Sequence, residues 1–519
     1  MLLPLLLPVI FLLYLRYDPK KQAPGDVDDL KAYPLVGRFP HFIKNQHRLV
    51  EWSVHVARRS PTHTTTFKVV GMPGVVLTAN PENLEHIAKT NFSNYPKGEY
   101  MLTKIEDFLG RGIFCSDGDQ WLWQRKAASF EFSKRSQRKF VVDAVGSELV
   151  DRFLPLLDQA ARHGRTLDMQ HVLECFSFDN ICRTAFGEDP ACLAGADEGS
   201  TTPPEKREAI EFMRAFDYMQ NAILVRFVPP ESMLWRLKKA LNMPPEKQIL
   251  EALDTVLGYA DRIVRRCKER GEADPGSRGD FLAHFAASGA RELTDDNLRD
   301  VVTNFLLAGR DTTATAMTWF FWLVSGRPDV EDKIVHEVHR VRRIHGGTGG
   351  STSWTTFTLD ELREMHYIHA AITEGMRLYP PVPQGMHISK GKDVLPDGTF
   401  VGKGWAVNHS LYAMARLEEL WGKDCEEFRP ERWLREDGTF QPESPFKNPV
   451  FHAGPRMCLG KEMAYIQMKS VVACAFERFS FRYLGGEDHP GMEISFLLRM
   501  KGGLPMQVTK RQPGPLEGF

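Results

Sequence analysis

FHAGPRMCLGKE, Phe451 to Glu462, sets one cysteine between two glycines, with an arginine two residues before it. A thiolate is a strong, soft metal ligand, and positive or dipolar surroundings lower its pKa. Gly454 and Gly460 remove side chains, so this backbone can approach a flat cofactor and turn amides toward the sulfur of Cys458. Arg456 offers a planar fork that suits a carboxylate on such a cofactor. Helical pattern resumes in KEMAYIQMKSVVACAFERF, which places Cys458 just ahead of a helix N-terminus, and that dipole also favours a thiolate. A zinc site would need further clustered ligands, and none stand nearby. A nucleophilic cysteine would need a base, which sequence leaves open. Cys175, Cys182 and Cys474 suit inert, buried positions.

Outward from this loop, composition sets limits. The chain has 519 residues, 42% hydrophobic and 26% charged, near globular averages. Sixty-six basic and 67 acidic residues almost cancel, so a net charge of -1 gives no argument for a nucleic-acid partner. Eight cysteines without a C-x-x-C pair fit a reducing compartment rather than a disulfide scaffold. The start differs. MLLPLLLPVIFLLYLRY is apolar from Met1 to Leu15 except for Pro4 and Pro8, and Arg16, Lys20 and Lys21 follow the apolar run. A secretory signal would want positive charge before that run and a small-residue cleavage site after it; neither is present. Residues 1–17 are therefore expected to form an N-terminal membrane anchor, with the body on the cytosolic side. Fifteen helical residues reach only about 22 Å against a hydrocarbon core of ~30 Å, so the anchor is shallow or recruits Tyr17 and its neighbours. Residues 18–33 read as a polar, proline-containing linker, and 34–519 as a single domain.

Most long segments carry helical periodicity, among them Glu148 to Arg162, with Pro155 as a kink, and Lys247 to Arg270. Strand signals are short: VVLTA from Val75, and a hairpin in VLPDGTFV around Asp397-Gly398. Leu193 to Glu205 and His345 to Thr356 read as surface loops. The expected class is mainly α with small β-sheets. Its most distinctive helix is LTDDNLRDVVTNFLLAGRDTTATAMTWFFWLVSGRP. Thr294 is a good N-cap, Asp295 and Asp296 suit the positive end of the dipole, and Gly326 and Pro328 mark the exit. From Val301 to Val324 it is apolar around much of its circumference, which predicts burial through the middle of the body. Arg310, Asp311 and the threonines near its centre argue against a transmembrane span. Ala308 and Thr312 are i, i+4 neighbours, so the hydroxyl can take the Ala308 carbonyl and open the helix locally.

F-x-x-G-x-R-x-C-x-G, from Phe451 to Gly460, resembles the haem-binding loop of the cytochrome P450 family, and all five fixed positions match. Three further motifs occur in the family's order, so the resemblance covers essentially the whole body. It implies a triangular, helix-rich fold with a long central helix over haem b (iron protoporphyrin IX). Cys458 would be the axial iron ligand, and Phe451, Gly454, Arg456 and Gly460 would surround the cofactor. In AGRDTT, Ala308 to Thr313, the resemblance makes Asp311 and Thr312 the catalytic acid–alcohol pair beside the oxygen-binding face, with Gly309 leaving room for dioxygen and water; the alternative is a mid-helix threonine satisfied by its own backbone and an aspartate paired elsewhere. Bound oxygen must gain protons before its O–O bond breaks, and a thiolate's electron donation favours that cleavage. Glu374 and Arg377 form E-x-x-R at i, i+3 on one helical face, and FRPERW offers Arg432 as the third member of a buried structural network. Trp121 and Arg125 lie at i, i+4, facing the same way, so both could reach one propionate, and His387 stands where many relatives place a third propionate partner, with a satisfied structural histidine the alternative. FSKRSQRKF carries Lys134, Arg135, Arg138 and Lys139 on the side that meets the reductase in the family; a solvated helix face is the equal alternative.

In detail LLAGRDTTATAMTWFFWL, LPDGTFVGKGWAV, WGKDCEEFRPERW, FHAGPRMCLGKEMAYIQMKS and RMKGGLP resemble one plant branch, family ninety-four of clan eighty-six. That branch hydroxylates fatty acids at or near the ω end or oxidises jasmonoyl-isoleucine, and some members act on sterol side chains. The resemblance implies a monooxygenase of the endoplasmic reticulum membrane, facing the cytosol. It would take electrons from NADPH through a separate NADPH-cytochrome reductase and bind a hydrophobic small molecule. Its other contacts would be membrane lipid and no nucleic acid, and its catalytic unit would be monomeric. Burying a twelve-carbon chain gains about 9 kcal/mol gross, at ~0.8 kcal/mol per methylene before association costs. That gain is uniform along the chain and cannot choose the terminal carbon, so a constriction is needed. By family position its walls are Phe305, Ala308, Thr313, Val382 and Phe496, with core packing the alternative for each. Lys97, Lys104 and Arg111 are candidates for holding a carboxylate through nearness to the expected mouth. Rival readings are a haem-thiolate isomerase or dehydratase, a haem-binding sensor, and a cysteine hydrolase. Asp311-Thr312 and the anchor argue against the first.

Overall fold

A computed structural model describes residues 38–67, 73–129, 144–194, 204–228, 231–273, 281–287, 293–346, 354–486, 489–493 and 495–511, with Tyr33 and Phe132. The expected anchor, nearly all of the linker and the four cations of FSKRSQRKF lie outside the described residues. Among those described, no helix is long and apolar enough to cross a membrane.

Nine helices position the site: α1 Gly98–Leu109, α2 Gly118–Ser129, α3 Met169–Phe186, α4 Pro204–Leu224, α5 Glu246–Ala273, α6 Asp295–Leu306, α7 Thr312–Ser325, α8 His366–Leu378 and α9 Lys461–Phe476. α3, α7 and α9 bury residues around most of their circumference, as all-round apolar helices must. α3 starts cleanly because the Asp168 carboxylate accepts from the Gln170 amide, and it ends at Gly187 in the left-handed region. The segment around Pro155 is not kinked at the proline. A π turn over Leu149–Phe153 leads into a fresh α-helix, Leu154–His163, whose first turn holds the proline where its missing N–H is no loss.

The long central helix is α6 and α7 joined by a π turn, Leu307–Asp311. Thr294 and Asn297 close a reciprocal capping box at its start. At the join the Thr312 hydroxyl donates to the Ala308 carbonyl at 2.6 Å, so the expected local opening is a π turn supported by a side chain. Gly309 packs closely against α3. A Cβ there would stand 2.6 Å from Cδ1 of Ile181, so the glycine serves close packing of the π turn on α3.

Three small sheets complete the frame. The largest has strand order β1-β2-β7-β4, from Thr64–Phe67, Val75–Thr78, Ala406–Ser410 and Gln384–Ile388; only the β2–β7 pairing is parallel. β4 starts after Pro380 and Pro381 end the chain's helical run from α8, and it carries His387 inward. β3 (Thr166–Asp168), β9 (Pro505–Lys510) and β8 (Phe479–Tyr483) form the second sheet, in the order β3-β9-β8. β5 (Asp393–Val394) and β6 (Phe400–Val401) form the expected hairpin, turning at Gly398 with φ +85°.

Candidate active site

Cys458 stands in a short loop pinned at its base, where its own amide donates to the Phe451 carbonyl at 2.8 Å. It is the one exposed cysteine of eight, and Cys175, Cys182 and Cys474 are buried with the rest. The sulfur opens into a recess whose walls strip bulk water from it, and that burial pushes the thiol up. The amides of Gly460 and Lys461 and the charge of Arg125 pull the other way. Gly460 precedes α9, and a Cβ on it would meet only Phe132 at 3.5 Å and the Cys458 sulfur at 3.9 Å, so space beside the sulfur is kept. Gly454 has a structural reason to be glycine. Its φ is +66°, and a Cβ would stand 2.1 Å from the Ala88 carbonyl oxygen, so turn geometry and packing require it.

Cations gather along one side of this loop. Arg456 donates to the Ser116 carbonyl at 3.0 Å and to Asp117 at 2.6 Å, while its buried Nε has no hydrogen-bond partner. Its guanidinium lies 4.6 Å from the Trp121 ring centre, and that of Arg125 at 5.8 Å from the same ring. Arg125 donates to the Met457 carbonyl at 2.7 Å, so it holds the cysteine loop directly. His387 is buried, with Nδ1 2.8 Å from the Tyr95 carbonyl; burial, then the Lys97 charge, push its pKa well down. Lys97 belongs here and not at a mouth. Its Nζ donates to the Met386 carbonyl at 3.3 Å, and burial followed by repulsion from Arg456 brings it down to about 8. A thiol open to a recess and a buried guanidinium nitrogen without an acceptor fit haem, whose propionates would take Arg456 and Lys97; neutral His387 spends its one N–H on the Tyr95 carbonyl and would join them only when doubly protonated.

Thr312 and Asp311 part company at the π turn. Thr312 is half-buried, while Asp311 is buried in a charged cluster. Asp311 accepts from Gln220 at 3.1 Å and faces Arg310 at 3.0 Å; Arg310 reaches Asp217 at 2.8 Å. Arg499 then joins Asp217 at 3.2 Å to Glu174 at 2.5 Å. Three carboxylates thus share two guanidinium groups, a net negative unit that holds a proton. Burial raises Asp311 to about 6 and Glu174 to about 7, whereas for Asp217 the two arginines outweigh burial and keep it low.

On the far side of α8, Glu374 accepts from Arg377 at 2.7 and 2.8 Å, from Arg432 at 3.3 Å and from the Trp433 indole at 2.8 Å. Arg377 also donates to the carbonyls of Ala415 and Cys425 at 2.5 and 2.7 Å. Of the proposed wall residues, Phe305, Ala308, Val382 and Phe496 are half-buried, while Thr313 is buried. Phe305 also packs against Phe281, the rings tilted with centroids 4.1 Å apart. The Leu498 amide donates to the Pro381 carbonyl at 2.9 Å, and the Trp319 indole donates to the Leu498 carbonyl at 2.5 Å, which brings the Val382 and Phe496 segments to the central helix.

Sequence reasoning missed Glu174, Asp217 and Arg499 as partners of Asp311. They come from three separate segments and share no motif; Arg310, beside Asp311 in an apolar helix, was the one local sign that counter-charges must be near.

Comparison with known proteins agrees with this geometry. The cytochrome P450 family model matches residues 29–505. Cytochrome P450 CYP94D108 of Paris polyphylla is 43% identical over 475 residues, covering 92% of this chain and 91% of that protein. Cytochrome P450 94A1 of Vicia sativa is 40% identical over 493 residues, covering 93% and 90%. Cytochrome P450 94B1 of Arabidopsis thaliana is 38% identical over 519 residues, covering 98% and 97%.

Proposed function

The chain belongs to the cytochrome P450 family and to its family ninety-four branch, and from that premise we propose that it hydroxylates a fatty acid at or near the ω end. The reading places it on the endoplasmic reticulum membrane through residues 1–17, with electrons arriving from NADPH through a separate reductase. One observation carries the substrate class. Phe305, Ala308, Val382 and Phe496 are apolar and half-buried, and the segments of Val382 and Phe496 are tied through Leu498 and Trp319 to the central helix that carries Phe305, Ala308 and Thr312. An apolar wall beside a lone hydroxyl suits a hydrocarbon chain better than a polar ring system.

Haem bound through Cys458 supplies oxygen activation and accepts the electrons. What this chain adds is position and protons. The Thr312 hydroxyl is held in place by its bond to the Ala308 carbonyl. Behind it Asp311 is raised by burial to about 6, close enough to neutrality to hold and release a proton. Its charged neighbours keep that carboxyl fixed. The aromatic and aliphatic walls exclude water and narrow the approach, so the end of a chain enters before its middle.

Product analysis by mass spectrometry tests the reading. The full chain is incubated with reductase and NADPH and offered lauric acid, oleic acid, jasmonoyl-isoleucine and cholesterol together. Terminal or near-terminal hydroxy-fatty acids are expected. Turnover of jasmonoyl-isoleucine alone, or of the sterol alone, would refute the fatty-acid assignment.

A further inference from the structure

Of the three cations considered for a carboxylate, two are already committed. Arg111 is exposed and pairs with Glu106 at 2.9 Å. Lys97 sits beside Arg456 among the donors of the cysteine loop. Lys104, on α1, stands in another setting. It is 3% exposed, and its ammonium donates to the Arg226 carbonyl, one of three hydrogen bonds it can make. Two rings flank it, Tyr100 with its centre at 4.5 Å and Phe227 at 5.2 Å.

No carboxylate among the described residues answers that charge. Asp107 is taken by Arg226 at 2.9 Å and by Lys239 at 2.8 Å. Glu246 is taken by Arg226 Nε and Nη2, at 3.0 and 2.6 Å. Two acids therefore face Arg226, Lys239 and Lys104, one positive charge in excess, and Arg236 adds to the repulsion felt by Lys104. A buried cation without a counter-ion is unfavourable, and an arriving anion relieves it. Phe227 leads from this point to the wall, since its ring meets that of Phe496 edge-on at 6.1 Å. Two residues beyond Phe496, Leu498 bonds to the Pro381 carbonyl and to the Trp319 indole of the central helix.

We propose that Lys104 anchors the carboxylate of the substrate, whose chain then runs past Phe227 and Phe496 toward Thr312. This inference rests on the fatty-acid reading and gives it a direction: the acid end is fixed, so the opposite end reaches the reacting position. A neutral head group loses that anchor, and the chain slides.

Optical titration of the full-length haem protein with laurate and with methyl laurate tests it, alongside the product pattern on laurate. Wild type binds laurate more tightly than the ester. In Lys104→Met, which conserves volume, laurate binding weakens roughly ten- to a hundredfold, so the ratio between the two ligands collapses toward one. Hydroxylation also spreads from the terminal carbon inward. Lys104→Arg retains most of the preference. A Lys104→Met protein that binds laurate as wild type does overturns the anchor and leaves the fatty-acid reading standing. Wild type that binds neither ligand overturns that reading, and the anchor with it. Should Lys104→Met not fold, equal wild-type affinities for acid and ester overturn the anchor by themselves.

Discussion

Glu374→Gln removes a charge and almost no volume from a network in which Glu374 and Arg377 are both 0% exposed. One carboxylate oxygen accepts from Arg377 Nε and the Trp433 indole; the other accepts from the second Arg377 nitrogen, from Arg432 and from the Arg429 amide at 3.2 Å. An amide turns one of those acceptors into a donor, so at least two donors face a donor. Arg377 keeps the carbonyls of Ala415 and Cys425, which satisfy geometry without supplying a counter-charge. Breaking one side of a buried pair costs about 3–5 kcal/mol, a large share of the ~5–15 kcal/mol that holds a folded chain. Denaturant titration with haem counted per polypeptide should show a lowered midpoint and poor haem incorporation. The double variant Glu374→Gln, Arg377→Met should cost less than the sum of the single changes, because the uncompensated cation leaves with its partner. A single variant that stays within about 1 kcal/mol of wild type, the range of exposed pairs, and carries full haem would refute the reasoning.

Thr312→Ala should keep its haem but lose the hydroxyl bonded to the Ala308 carbonyl, so product per NADPH falls about tenfold or more and peroxide rises; unchanged coupling would remove Thr312 from the relay. Asp311→Asn should stabilise the fold. A carboxyl raised by burial to about 6 adds its full stability below the ordinary carboxylate range near 4 and loses it as pH climbs through about 6. The variant should therefore melt above wild type at about pH 7.5, with the gap closing toward about pH 5, while turnover drops; a lower melting point at the higher pH would contradict the charge count of the cluster. Gly309→Ala should cost about 1–3 kcal/mol through its clash with Ile181, and Ile181→Val should recover part of it. Absence of any loss would mean that the π turn does not pack as closely on α3 as described.

Local chemistry was legible in the sequence wherever residues near one another in the chain do the work. Thr294 caps one helix end, Thr312 reaches back one turn, Glu374 and Arg377 share a helical face, and Cys458 sits three residues before α9. Spacing along a helix converts directly into direction, so these relations need no knowledge of the rest of the fold. Glycine was half legible, because the reason for a missing Cβ is also a matter of neighbours. Gly309 packs on Ile181 and Gly454 on the Ala88 carbonyl, from segments more than a hundred residues away. Charge misled. Lys97, Lys104 and Arg111 lie within fifteen residues of one another, yet they answer to Arg456, to the Arg226 carbonyl and to Glu106. The sequence by itself determined which groups can ligate, cap or pair within a turn; tertiary packing alone decided which buried charges meet a counter-charge and which are left open to one, because burial and distant partners set the value of a charge.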